Sequence, residues 1–198
     1  MINKKIKIKK IQKEYLLNSL FKSKNFYGES LKETKKKNLP FIYGFRHNYS
    51  IINLKSTIFF LQKALFLIKL CIKKNKKILI IGDSFDIKFL LSESKKINFI
   101  QNNKNVILKN DIWINGLLTN KTISNFLKLN KINLIILLKS KTKQNYLLTE
   151  FNHKNIPVIT LNNTNSNIDY INYPIFSNTK NLKSLFFLIY LIRKTFSK

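Results

Sequence analysis

The stretch ILIIGDSFD, residues 78–86, is the clearest place in the chain for phosphate chemistry. An apolar β-branched run that ends in Gly-Asp predicts a buried strand and then a helix, whose first backbone amides can hold a phosphate. A nucleotide-binding enzyme that uses the turn from Gly82 to Ser84 is therefore one hypothesis. The dinucleotide fingerprint needs three spaced glycines, however, and this turn has Gly82 alone. Asp83 and Asp86 are better interpreted as a helix N-cap and a first-turn acid than as a catalytic pair.

The other side chains that commonly do chemistry are few and scattered. The chain has two histidines, His47 and His153, and one cysteine, Cys71. Neither histidine has a carboxylate at ligand spacing, so a zinc site or a Ser-His-Asp triad is not expected. A lone cysteine also excludes an intrachain disulfide framework. We therefore expect no metal, no cofactor and no small-molecule substrate.

The charge balance of the chain points to a polyanionic partner. Lys and Arg total 37 against 9 acidic residues, which gives a formal net charge of +28 at pH 7. Such a chain repels itself unless nucleic acid or an anionic membrane neutralises it. Arg is the better bidentate ligand for phosphate, yet only Arg46 and Arg193 are arginines. Lys, Asn, Ile, Phe and Tyr share A/T-rich codons, so part of this bias reflects the composition of the gene.

No membrane span is expected. The longest apolar runs are residues 57–72, which Lys63 and Lys69 interrupt, and residues 185–192. A spanning helix needs about 20 apolar residues. The first 13 residues are basic and lack an apolar segment, so we expect a solvated or RNA-contacting tail at 1–13. Residues 14–198 are expected to form a single α/β domain.

From residue 56 onwards, strand patterns alternate with helix patterns. Apolar residues at three-and-four spacing predict a helix over 56–73. Further helices are predicted at 85–96, 121–129, 143–154 and 179–196. Buried strands are predicted at 76–83, 105–108, 132–138 and 156–161, with a short extended segment at 171–176. Apolar strands that alternate with helices predict a three-layer, doubly wound, mainly parallel sheet of the flavodoxin-like kind, with helices on both faces.

The N-terminal third is predicted to be less regular. Residues 14–21 favour a short helix, and residues 32–40 a charged loop that stops at Pro40. Residues 41–45 and 49–54 favour short extended segments on either side of a turn.

In an open parallel sheet the functional crevice lies beyond the carboxyl ends of the strands. The segments expected there are GDS (82–84), NDIWING (110–116), KSKTK (139–143) and NNTNS (162–166). Trp113, the only tryptophan, is interpreted as a core anchor because apolar residues surround it in the sequence. Gly116 is interpreted as a tight turn before a helix that Thr119 or Asn120 caps.

Several short motifs follow one another along the chain. They are Tyr27-Gly28, PFIYG (40–44) with IINL (51–54), KILIIGD (77–83), IWINGLLTN (112–120), IPVITLNNTNS (156–166) and YPIFSNT (173–179). Taken together and in order, these motifs resemble those of the small-subunit ribosomal protein S2 family, over residues 14 to 196. All four glycines and all three prolines fall at family positions. The motif positions interpreted as structural are Gly28, Pro40, Gly44, Gly82, Trp113, Gly116, Thr119, Pro157, Thr164, Asn165, Ser166 and Pro174.

The resemblance implies a non-catalytic constituent of the small ribosomal subunit, with rRNA and neighbouring ribosomal proteins as partners. The chain departs from the family at Glu29, which stands for a histidine, at Asp111-Ile112, which stand for a basic pair, and at Asn115, which stands for a glycine. It also lacks the long helical hairpin that bacterial members insert before residue 132. This loss, with the A/T-driven composition, predicts a mitochondrial ribosome, and a plastid-type organelle is the alternative.

Basic and polar residues at loop positions are the candidates for RNA contact, because lysines there can neutralise phosphates and amides can bond irregular RNA. The candidates are Lys35, Lys36, Lys37, Arg46, His47, Asn48, Asn115, Asn120, Lys121, Lys139 and Lys141. Besides the enzyme hypothesis, one further alternative remains. A peripheral membrane protein would use the basic tail and the apolar helix 58–72, and it would bind anionic lipid without RNA.

Overall fold

The computed structural model describes residues 13–83, 86, 105–110, 120, 132–139 and 145–196. The described helices are α1 (13–22), a 3-10 helix (Lys36–Phe41), α2 (Leu54–Lys73), α3 (Asn145–His153) and α4 (Leu182–Phe196). The described strands are β1 (Tyr27–Ser30), β2 (Ile42–Arg46), β3 (Tyr49–Ile52), β4 (Lys77–Gly82), β5 (Val106–Asn110), β6 (Ile132–Leu137), β7 (Val158–Asn162) and β8 (Tyr173–Phe176).

Some of the sequence predictions fall outside these residues. They are the helix 121–129, the helix 85–96 apart from Asp86, and the tail apart from residue 13. Residue 13 belongs to α1. The site candidates outside the description are Trp113, Asn115, Gly116, Thr119, Lys121 and Lys141.

The main sheet has five parallel strands in the order β5-β4-β6-β7-β8. Numbered by their place in the chain, these strands run 2-1-3-4-5, which is the order of flavodoxin-like folds. Helices α2 and α4 cover one face through a shared core that includes Leu61, Ile68 and Leu188. Helix α3 covers the other face through Leu147 and Phe151. The predicted doubly wound α/β fold is confirmed.

The central strands are apolar throughout because each of their faces is covered. In β4, Ile78 and Ile80 pack towards α2 and α4, whereas Leu79 and Ile81 pack towards α3. All four side chains are at most 1% exposed. Successive strand residues point to opposite faces, so burial on both sides requires an uninterrupted apolar run. The run at 78–81 therefore predicted a central strand correctly.

Helix α2 follows from the spacing of its apolar residues. Ile58, Leu61, Ala64 and Ile68 are buried and lie on one side of the helix. The helix begins two residues before the predicted position 56, because Asn53 caps it by accepting a hydrogen bond from the backbone N–H of Lys55 at 3.0 Å. The apolar face that the membrane hypothesis requires is thus packed against the sheet.

A second sheet has three antiparallel strands in the order β1-β3-β2. The two extended segments predicted around Gly44 are β2 and β3, but the sequence did not predict β1. His47 and Asn48 join β2 to β3 with positive φ angles of 47° and 63°, as a two-residue hairpin turn requires. The prediction of a loop over 32–40 is wrong at its end, where the 3-10 helix forms around Pro40. Phe41 anchors that helix by stacking on Phe176 with ring centroids 4.4 Å apart.

Candidate nucleic-acid interface

The segment that follows β7 joins the two sheets through buried hydrogen bonds. The hydroxyl of Thr164 accepts from the backbone N–H of Glu29 at 2.8 Å and shares a hydrogen bond of 3.1 Å with the hydroxyl of Ser50. The side-chain amide of Asn38 donates to the carbonyls of Thr164 and Ser166, at 2.7 and 2.9 Å. The side chains of Thr164, Ser50, Asn38 and Ser166 all lie in the interior. The Thr-Asn-Ser motif therefore holds the small sheet against the carboxyl end of the main sheet.

Gly28 is a glycine because the two sheets approach each other closely at this point. A Cβ atom there would lie 2.7 Å from the Thr164 Cγ2 atom and 2.9 Å from its hydroxyl oxygen. It would also overlap the hydroxyl of Ser50. Any side chain at position 28 would push β1 away from Thr164 and break the hydrogen bonds of the junction.

Glu29 is an internal acceptor in this junction. Its carboxylate accepts from the side-chain amide of Asn163 at 2.6 Å and from the ammonium of Lys180 at 2.7 Å. The hydrogen bond from Lys180 to Glu29 raises the pKa of Lys180 above its ordinary value. The carboxylate is thus buried and paired, so it does not present a bare negative charge to an approaching phosphate.

Three of the predicted RNA-binding lysines lie on the surface beside the junction. Lys35 and Lys36 are exposed together with Lys37, and the backbone N–H of Lys35 donates to the Thr164 carbonyl at 3.1 Å. The ammonium of Lys37 pairs with Asp169 at 2.8 Å, and the hydrogen bond from Lys37 holds the pKa of that carboxyl below its usual value. The charge of Lys37 is therefore partly neutralised within the protein.

The second predicted basic cluster, Arg46 to Asn48, is exposed at the β2–β3 turn. The backbone N–H of Leu31 donates to the Asn48 carbonyl at 2.7 Å and so ties this turn to the loop that leads to Lys35. The two clusters are thus linked through the loop from Leu31 to Lys35.

The remaining candidates lie elsewhere or beyond the described ranges. Lys139 is half-buried two residues after the end of β6, and Asn120 is exposed. The role of both residues in RNA contact stays a prediction.

A groove beside the hairpin turn contains aromatic residues that were not among the sequence candidates. It has a volume of about 720 Å³ and is lined by Phe26, Tyr27, Gly28, Arg46, His47, Tyr49 and Ile51. The signal available in the sequence was the interleaving of aromatic with basic residues in RHNYS (46–50).

The turn considered for nucleotide binding has a packing explanation. A Cβ atom at Gly82 would lie 2.9 Å from Leu138 Cδ1 and 3.1 Å from its Cβ atom. Gly82 therefore allows β4 and the end of β6 to pack together, without any need for a phosphate. Asp86, which follows this turn, is buried.

Membrane spans and metal sites can be judged only for the described ranges. There, no helix is both long enough and apolar enough to cross a membrane. In the same ranges, no group of three or more His, Cys, Asp or Glu side chains is arranged to hold a metal ion.

The described residues thus form a flavodoxin-like parallel sheet with a small antiparallel sheet joined to its carboxyl edge and with exposed lysine and arginine side chains beside the junction. The ribosomal protein S2 family model matches residues 20–135 and 124–198. The chain therefore belongs to the ribosomal protein S2 family, as its motifs predicted.

The similar proteins are small ribosomal subunit proteins named uS2 or uS2c. The chain is 25% identical over 225 residues to small ribosomal subunit protein uS2 of Buchnera aphidicola subsp. Cinara cedri, covering 92% of this chain and 91% of the relative. It is 26% identical over 212 residues to uS2 of Ehrlichia ruminantium strain Gardel, covering 85% and 71%. It is 24% identical over 201 residues to uS2c of Galdieria sulphuraria, covering 82% and 84%. The first alignment is longer than the 198-residue chain, so that relative has segments without a counterpart here.

Proposed function

We propose that this protein is a structural, non-catalytic constituent of a small ribosomal subunit, where it binds rRNA and neighbouring ribosomal proteins. The observation that carries this proposal is the family match, which extends from residue 20 to residue 198. The net charge of +28 supports it, because rRNA supplies the polyanion that such a chain needs.

In this proposal the rRNA contacts the exposed basic side chains of Lys35, Lys36, Lys37 and Arg46 beside the sheet junction, which we call the basic rim. Lys35, Lys36 and Arg46 are exposed, and each can neutralise a phosphate without reading the base sequence. The junction fixes the backbone at Lys35 through its N–H bond to the Thr164 carbonyl, so this part of the loop needs no ordering when RNA binds.

The ribosome that receives this protein is mitochondrial in our proposal, and a plastid-type organelle is the alternative. The A/T-driven composition supports an organellar gene. The uS2 protein of Buchnera aphidicola has segments that this chain lacks. Their presence is consistent with the loss of the helical hairpin before residue 132 in this chain.

Gradient sedimentation of organelle lysates tests this proposal. We expect the protein to sediment with small-subunit rRNA in the mitochondrial fraction at low salt, and to leave the particle only when the subunit is stripped. Recovery from the plastid fraction would support the alternative location. A protein found only at the top of the gradient, free of rRNA, would contradict the ribosomal role.

Equilibrium binding of the purified chain to small-subunit rRNA provides a second test. Each phosphate contact contributes about −0.7 to −0.9 to the slope of log affinity against log salt. We expect the slope of log affinity against log salt to be several units, because several lysines of the basic rim contact phosphates. A flat response between low and moderate salt would contradict phosphate binding.

A further inference from the structure

The outer face of the small sheet contains aromatic side chains that the fold does not need for its core. Tyr27 and Tyr49 are 47% and 57% exposed, and both line the groove of about 720 Å³ described above. Two exposed tyrosine rings in one concave site offer flat surfaces on which another flat group can stack. We call this site the tyrosine groove.

The strand register places the residues that line the tyrosine groove on one face of the small sheet. Tyr27 pairs with Ile51 and Tyr49 pairs with Arg46, and directly opposite residues of antiparallel strands present their side chains on the same face. Gly44 also pairs with Ile51, and a Cβ atom at Gly44 would meet no atom within 4 Å. The missing side chain at Gly44 therefore leaves the face open beside Ile51.

The ring of Tyr27 packs against the neighbouring ring of Phe26. Its centroid lies 4.3 Å from that of Phe26, which in turn stacks on Phe21 at 4.7 Å. An aromatic ring held in this way loses little side-chain entropy when a second flat group stacks on it.

The charges around the groove select the kind of partner. Arg46 and His47 line the groove, and Lys180, whose ammonium pairs with Glu29, lies near Tyr49. Glu33 also acts on Lys180, but the nearby carboxylate of Glu29 is buried and paired. Cationic groups beside exposed aromatic rings are the pattern of single-stranded nucleic-acid sites, where bases stack and phosphates pair with the rim.

We propose that the tyrosine groove binds unpaired nucleobases of single-stranded RNA, with the Tyr27 and Tyr49 rings stacking on bases and Arg46 holding the adjacent phosphate. This role of the groove rests on the proposed function. It specifies that the bound rRNA includes an unpaired segment whose bases contact the groove, in addition to the phosphates that contact the basic rim. An aromatic peptide of a neighbouring protein is the competing occupant, but the net charge of +28 favours an anion.

The test uses the full chain and a single-stranded RNA of about ten nucleotides with a central 2-aminopurine, whose fluorescence falls on stacking. We expect the wild-type protein to quench the probe. Tyr49→Leu and Tyr27→Leu should each abolish most of the quenching and weaken binding at least about fivefold, as loss of one stacked base predicts. Tyr190→Leu, which removes an exposed ring on α4, is the matched control and should change neither quantity.

Two further variants distinguish an effect of ring stacking from an effect of charge and from an effect of misfolding. Tyr49→Phe retains the ring, so it should quench like the wild type even if Tyr49→Leu folds poorly. Arg46→Gln should reduce the salt slope of binding by about one, while Tyr49→Leu should leave the slope unchanged.

Binding of the same variants to small-subunit rRNA makes the outcomes distinguishable. If the wild type binds that rRNA but the tyrosine variants quench the probe as well as it does, the groove assignment is overturned and the proposed function stands. Tight binding of an aromatic peptide in the groove, with no quenching of the RNA probe, would also overturn it. If the wild type binds no rRNA at all, the proposed function itself fails.

Discussion

The carboxylate of Glu29 and the ammonium of Lys180 form an ion pair of 2.7 Å although they lie 151 positions apart in the chain. Asn163 donates to the other carboxylate oxygen at 2.6 Å. One acidic side chain thus connects β1, the loop after β7 and the segment after β8. The basic rim and the tyrosine groove both depend on this junction for their position.

Removal of the two partners of this pair should have unequal effects. Glu29→Ala leaves the buried amide of Asn163 without its acceptor, so we expect a loss of about 1–3 kcal/mol in the free energy of unfolding. The side chain of Lys180 is 68% exposed, and water can replace its ammonium, so Lys180→Ala should cost less than about 1 kcal/mol. Urea unfolding at pH 7 measures both values. Equal losses would show that the junction does not depend on Asn163.

The stability that Lys180 contributes should also depend on pH. Its pKa is raised above 10.5 in the folded state by the hydrogen bond to Glu29. The contribution is therefore fully present below that ordinary value and is lost as the pH rises through the folded-state pKa. The difference in unfolding free energy between wild type and Lys180→Ala should shrink above pH 10.5. An unchanged difference at high pH would contradict the ion pair.

Two glycines of the small sheet should differ sharply in their tolerance of a methyl group. Gly28→Ala places a Cβ against Thr164 and Ser50, and we expect it to cost at least about 1–3 kcal/mol of stability through overpacking. Gly44→Ala meets open space and should change stability by less than about 0.5 kcal/mol. Thermal unfolding of both variants compares them directly. Similar melting temperatures would mean that β1 does not approach the Thr164 segment this closely.

The hydroxyl of Thr164 should matter more than its methyl group. Thr164→Val preserves the shape but leaves the buried N–H of Glu29 without an acceptor, so we expect a loss of about 1–3 kcal/mol. Thr164→Ser retains the hydroxyl and should lose less. Denaturant unfolding ranks the two variants, and the opposite ranking would mean that packing rather than hydrogen bonding holds the junction.

Asp169 should weaken RNA binding by holding Lys37. Asp169→Asn removes the ion pair of 2.8 Å and one negative charge, so we expect tighter binding to small-subunit rRNA and a salt slope steeper by up to about one. Lys37→Gln in the Asp169→Asn background should reverse this gain. Lys37 holds the pKa of Asp169 below 3.8, so the pair is intact near neutral pH. Unchanged affinity in Asp169→Asn would place Lys37 away from the RNA.

The fold class and the family were accessible from local patterns. The apolar run at 78–81 is what a strand covered on both faces requires, and the spacing of Ile58, Leu61 and Ile68 is that of one side of a helix. These patterns are properties of neighbouring residues, so they need no knowledge of the rest of the chain. The charge of +28 likewise depends on composition alone, and it indicates a polyanionic partner whatever the arrangement of the strands.

The candidate site needed the tertiary structure because its contacts join distant segments. The hydroxyl of Thr164 meets the N–H of Glu29 across 135 positions, and no local periodicity carries that information. Glu29 stood out in the sequence only as a departure from the family, and nothing in the local pattern marked Lys180 as its partner. The same holds for the tyrosine groove, since Tyr27 and Tyr49 line one site only when the register of β1 against β3 is set.

Sequence by itself determined the strands of the main sheet, the helices that cover it and the charge of the chain, because propensity, periodicity and composition are local quantities. Only the tertiary structure decided which charged side chains form ion pairs within the protein and which aromatic rings remain exposed to a partner. Those outcomes depend on close approach between segments more than 100 positions apart, as the contacts of Glu29 with Thr164 and Lys180 demonstrate.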